Sequence, residues 1–151
     1  MKSLSERIAE VEQAAQLSGK VVLSPGAPRK WIDRAQENLR LKFPPSLEAF
    51  LLNHSGGVVR GLELYGLNTD PNDLLPGSDL VYMTQQRRCG GLQDKWLAIF
   101  DDQGDRCYFL DCGVPGVEGA VFVEDLEIEP HWKPVAPDYL AFVLGLIARE
   151  I

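Results

Sequence analysis

The sequence predicts an α+β fold, a single domain in which a mixed or mainly antiparallel sheet is packed with N-terminal helices and a C-terminal helix. Three observations carry this. Up to Gly57 apolar residues recur at intervals of three or four, with charges on the opposite side. From Leu62 to Val123 the pattern changes to short apolar and aromatic runs separated by Gly, Pro, Asn and Asp. The segment from Tyr139 to Ile147 is apolar nearly all round, as befits a helix packed on a sheet or between layers. The 151 residues suit one domain over residues 1–151, and a chain of this size buries roughly 70% of its unfolded surface. A hydrophobic content of 45% and a charged content of 25% argue against disorder and against a coiled coil.

A first helix is expected from about Ser3 to Leu17. Ser3 and Glu6 have the spacing of a capping box, Leu4, Ile8, Val11 and Ala15 form an apolar stripe, and Gly19 suits the C-terminal end. The proline and glycine segment at residues 24–30 reads as a connector within the domain. It leads into the stretch around which the chain is organised, Trp31 to Gly57. There Ile32, Ala35, Leu39 and Phe43 form one helical face, opposite Asp33, Arg34, Glu37, Arg40 and Lys42. Pro44 disfavours helical dihedrals at Phe43, while Pro45 can open a second helix, because its missing N–H would have had no partner there. Leu47, Phe50 and Leu51 give that helix its buried side. Asn53 to Gly57 offers residues able to end it with positive φ.

Leu62 and Leu64 alternate with Glu63 and Tyr65 as in a strand, and the polar cluster from Asn68 to Asp73 ends it. Asp79 to Met83 reads as a short strand or helical turn, and residues 85–94 read as a mobile loop with a Gly-Gly pair. The strongest strand signal is a hairpin, Lys95 to Phe100 and Arg106 to Asp111, whose turn is expected to need positive φ at Gly104. A third strand follows at Ala120 to Val123, and Leu126 to Ile128 is ambiguous. Pro137 lies near the first turn of the closing helix, and Arg149 suits its C-terminus. Phe50, Leu51, Trp96, Ile99, Phe109, Leu110, Phe142 and Leu146 are expected to share one core.

The order of these motifs carries a resemblance. The series Leu39, Phe43, Pro44, Pro45, Ser46, Leu47, Phe50, Leu51, His54, Ser55, Gly56 and Gly57 is followed by the apolar run from Leu62 to Leu67. After it come the hairpin from Trp96 to Asp111 and the segment from Pro134 to Ile147. Over roughly residues 29–149 this resembles the SMI1/KNR4 family, also called the SUKH superfamily. The resemblance implies an α+β fold and, in bacteria, most often an immunity protein that neutralises a polymorphic or contact-dependent toxin. The fungal members imply an alternative, a regulatory or scaffolding module.

Residue chemistry excludes more than it assigns. The Asp101–Asp105 segment lacks the ligand spacing and downstream Glu of a calcium loop. His54 and His131, the two histidines, lie far apart in sequence, and no Ser or Cys near either makes a recognisable nucleophile and base pair. Cys89, Cys107 and Cys112 are odd in number and lack metal-ligand spacing, so reduced, mostly buried thiols are expected and neither a metal nor a cofactor is. Trp31, Trp96 and Trp132 read as core or edge packing. Catalysis is not expected. The N-terminus lacks the continuous apolar core of a signal peptide, and no run is long enough to span a membrane, so the expected location is cytoplasmic.

Charge distribution is the remaining signal. Residues 1–61 carry nine Lys or Arg and six Asp or Glu, a net of plus three, whereas residues 62–129 carry four and fourteen, a net of minus ten. Such a surface repels nucleic-acid phosphates and anionic lipid and attracts basic protein. The candidate partner-binding residues are Asp101, Asp102, Asp105, Glu124, Asp125, Glu127 and Glu129. Their expected partner is the basic cognate toxin domain, a nuclease being one such, with no direct contact to nucleic acid or membrane.

Overall fold

The computed structural model describes residues 1–68, 70, 79–104, 106–127 and 129–151. Helix α1 (Leu4–Ser18) begins at the expected capping box. The Ser3 hydroxyl accepts from the Glu6 N–H, the Glu6 carboxylate accepts from the Ser3 N–H, and Gly19 ends the helix at φ 68°. After strand β1 (Val21–Leu23) comes α2 (Arg29–Leu39), then α3 (Pro45–Asn53) with proline in its first turn. Ile32, Ala35, Leu39, Phe43, Leu47, Phe50 and Leu51 are all buried, as their spacing requires.

The organising stretch departs from expectation at two points. α2 stops at Leu39 rather than reaching Phe43, because Arg40 turns left-handed at φ 55° and its N–H returns to the Gln36 and Glu37 carbonyls. Phe43 is buried from the irregular segment before α3 instead, its N–H donated to Gln36 Oε1. α3 ends on His54 in an extended conformation, and neither Gly56 nor Gly57 has positive φ. The glycines serve close approach. A Cβ on Gly66 would stand 1.7 Å from the Ser55 carbonyl oxygen, so the chains after α3 and after β3 pass backbone to backbone.

Strands β2 (Gly57–Val59), β3 (Leu62–Leu64), β4 (Trp96–Asp101), β5 (Arg106–Asp111), β6 (Val121–Asp125) and β7 (Trp132–Ala136) join β1 in one seven-stranded sheet. Its order follows the sequence and every pairing of neighbours is antiparallel. β1 and β2 are three-residue strands with no polar residue to mark alternation, which is why they escape sequence reading, and β7 is masked by Pro134. The ambiguous residues Leu126 and Glu127 form a turn, and Ile128 lies outside the described residues. So do Asp73 and much of the polar cluster before it.

Residues 85–94 are the largest revision. The expected loop is half helix, since α4 (Leu80–Cys89) starts at Asp79, whose carboxylate accepts from the Val81 and Tyr82 N–H groups. Asp79 is itself buried, and loss of solvation pushes its carboxyl upward. α5 (Tyr139–Ile147) is capped by Asp138, which accepts from the Ala141 N–H.

The sheet divides the molecule. On one face Phe142 of α5 packs against Phe100 and Tyr108, with centroids 6.2 and 5.2 Å away, and Phe50 of α3 meets Tyr139. Arg7 of α1 donates to Asp138 at 2.6 Å, holding the first helix against the last. On the other face α4 covers only part of the sheet. Seven of the eight expected core residues are buried, but Trp96 is partly exposed on that second face. It follows Phe109 and Phe122 there, because in a strand adjacent residues point opposite ways.

Candidate functional site

The meander brings the β4–β5 turn and the β6–β7 connection to the same end of the sheet. Arg106 stands opposite Asp125 and Cys107 opposite Glu124 in the β5–β6 register. The acidic residues predicted from composition therefore converge from two separate stretches. Asp105 lies outside the described residues.

Their side chains do different things. Asp102 Oδ1 accepts from the Gly104 N–H at 2.9 Å and the Arg106 N–H at 3.3 Å, so it builds the turn. Asp101 Oδ1 accepts from the Gln103 N–H at 2.6 Å, and its other oxygen lies 3.8 Å from Arg87. The left-handed position in this turn is Gln103 at φ 62°, not Gly104. The two aspartates supply acceptors for the turn's N–H groups, which lets a non-glycine residue take that conformation. Asp125 is buried. Its Oδ1 accepts from the Glu127 N–H and its Oδ2 from Arg106 Nε, each at 3.0 Å, and these bonds hold its carboxyl below the usual carboxylate range. Glu127 is exposed, and Glu129 is exposed beside His131 Nε2 at 3.0 Å. Glu124 is half-buried and faces a groove.

That groove, missed by the sequence reading, is a hollow of about 860 Å³ on the sheet face opposite α5. Its floor is four rings in contact. Phe109 stacks on Trp132 at 5.0 Å, Trp132 meets Trp96 at 5.0 Å, and Trp96 meets Phe122 edge to face at 5.2 Å. One wall is the end of α4, with Arg87, and the turn through Gly90 and Gly91. Lys95 and Glu124 complete the polar rim. The sequence signalled the second apolar face, though not its incomplete cover. Val121, Phe122 and Val123 are consecutive apolar residues, the mark of a strand apolar on both faces, and α4 is too short to cover all of the second one.

The cysteines do not form a site. Cys112 is buried and its thiol is pushed up to about 12 by loss of solvation, whereas Cys89 is exposed, against the expectation of mostly buried thiols. Cys107 is half-buried, 2.7 Å from Arg87, and burial raises it as well. Among the described residues no three His, Cys, Asp or Glu side chains are grouped so as to hold a metal ion. Nor, among them, is any helix long and apolar enough to cross a membrane.

The chain has no match among curated proteins. The sequence profile of the SMI1 / KNR4 family (SUKH-1) matches residues 26–145, a span that starts before α2 and runs into α5, taking in the proline break, the whole groove and the acidic turns. With the fold and most of the sequence in agreement, this chain belongs to the SMI1/KNR4 family.

Proposed function

We propose that this protein is a non-enzymatic immunity protein that binds a cognate bacterial toxin domain and blocks its active site or substrate path. Membership of a family known for immunity proteins supports the class. The observation that carries the reading for this chain is the convergence of two acidic turns beside an open aromatic groove. The half-buried Glu124 lines a hollow floored by Trp96, Phe109, Phe122 and Trp132, and Glu127 and Glu129 are exposed in the β6–β7 connection that follows the same strand. Aromatic anchors at the centre with charges at the edge make a protein-binding surface, in which the rings supply affinity and the rim supplies encounter rate and selectivity. A net charge of −7 suits a basic target.

The test is co-expression with the C-terminal domains of candidate polymorphic toxins drawn from the genes adjacent to this one. Rescue of growth together with a co-purifying complex is expected. A toxin that kills undiminished, with no complex formed, would remove the proposal, and a complex without rescue would favour the scaffolding alternative. Association should also slow as salt rises, because the Debye length shrinks from about 10 Å at 0.1 M to about 3 Å at 1 M.

A further inference from the structure

Three rings of the groove floor are each associated with a carboxylate, two of them directly opposite it in the register and one through a shared cation. Trp96 lies opposite Asp111 in the β4–β5 register, and Lys95 Nζ sits 4.6 Å from the Trp96 ring centroid and 3.5 Å from Asp111 Oδ2. The Arg87 guanidinium lies 5.9 Å from the Phe109 centroid and 3.8 Å from Asp101 Oδ2. Trp132 lies opposite Glu124 in the β6–β7 register, and among the described residues no cation pairs with Glu124. The chain thus builds the same unit twice, a cation over a ring with an acid at its side. The third ring and acid face the groove.

We infer that Trp132 and Glu124 form a receptor for a guanidinium group, an arginine side chain presented on an exposed loop of the partner. Arginine fits better than lysine for two reasons. Its planar head stacks flat on an indole while its edge offers parallel N–H donors to one carboxylate, and it is more weakly hydrated than an ammonium. A hollow of about 860 Å³ holds more than one side chain, so the loop's neighbouring residues enter with it. Gly90 and Gly91 leave that rim without side chains to obstruct a second backbone. The inference rests on the toxin-binding reading for the identity of the partner, though not for the site itself.

The probe is the peptide acetyl-Gly-Arg-Gly-amide, titrated into nitrogen-15-labelled protein, and the signals are the indole N–H resonances of the three tryptophans. Trp31 lies on α2 outside the groove and is the internal control. The Trp132 signal should move saturably while Trp31 stays still, and the same peptide with neutral citrulline should produce no saturable shift. Glu124→Gln should weaken the arginine peptide by about fivefold or more, a change that one desolvated cation contact supports. Glu37→Gln, exposed on α2 and outside the groove, is the charge-matched control and should bind as wild type. The inference is overturned if Trp132 shows no saturable shift, if citrulline serves equally, or if Glu124→Gln binds unchanged with its spectrum otherwise intact. Growth rescue with no peptide binding would sink the arginine receptor and leave the immunity reading standing. Peptide binding with no rescue would do the reverse.

Discussion

A single turn shows why counting charges is not the same as locating a surface. Asp102 contributes one of the fourteen carboxylates in the acidic half, yet its oxygen is spent on two backbone N–H groups. Replacing it by lysine should lower stability by about 1–2 kcal/mol, read as a fall in the urea midpoint, so a slower association by that variant would not by itself report on docking. Glu127→Lys removes an equal charge from an exposed side chain and should leave the midpoint nearly unchanged. At the neighbouring position the strain sits on Gln103, where a side chain is held at φ 62°. Gln103→Gly should therefore raise stability by about 0.5–1 kcal/mol, whereas Gly104→Ala should lower it slightly, not through φ but because the added Cβ would meet Asp102 Oδ1 at 3.3 Å. Thiol chemistry separates the cysteines in the same residue-by-residue way. A disulfide reagent at neutral pH should modify Cys89 first and reach Cys112 only on unfolding, because one is exposed and the other is buried with its thiol pushed up to about 12.

Helices α4 and α5 are held to the sheet by contrasting devices. Thr84 of α4 is buried, and its hydroxyl accepts from the Ala98 N–H at 3.0 Å, where the β4–β5 register shifts between Ala98 and Phe100. The helix thereby supplies the acceptor for a strand N–H beside the bulge, whose extra residue is Ile99. Thr84→Val keeps the shape but orphans the donor, and should cost about 1–3 kcal/mol in urea unfolding. α5 instead depends on Asp138. Burial raises the carboxyl, but the Arg7 guanidinium and the Ala141 N–H outweigh it and hold the group below its ordinary value. A depressed carboxylate stabilises the fold above its unfolded pKa and loses that contribution as pH falls through the folded one. The wild-type urea midpoint should thus drop more steeply than that of Asp138→Asn as pH falls below about 4. Elements that announce themselves by period or cap, α1 at Ser3 and the apolar α5, were legible in the sequence, as was the β4–β5 hairpin. α4 was not, since LVYMTQQRRC has no apolar stripe and its docking relies on Thr84, a residue whose role appears only beside β4.

At the scale of the molecule, the α5 side of the core was readable and the groove side was not. Phe50, Leu51, Phe142 and Leu146 declare their burial through helical spacing, and Phe50→Ala or Phe142→Ala should each cost about 3–5 kcal/mol. Trp96, Phe122 and Trp132 are as apolar as any core residue, and nothing in a one-dimensional pattern says that the layer above them is incomplete. The acidic residues were legible as a set but not in their division into turn-building and outward-facing groups, which depends on register. The sequential strand order has a consequence for time rather than for shape. Neighbouring strands meet by closing mostly local loops, whereas the seam between α1 and α5 joins helices separated by the whole sheet. Distant contacts bear the larger entropy of closure and tend to form late on the folding path. Arg7→Ala should then speed unfolding severalfold in stopped-flow measurements and leave the refolding arm almost where it was, making this one ion pair a latch on the lifetime of the native state.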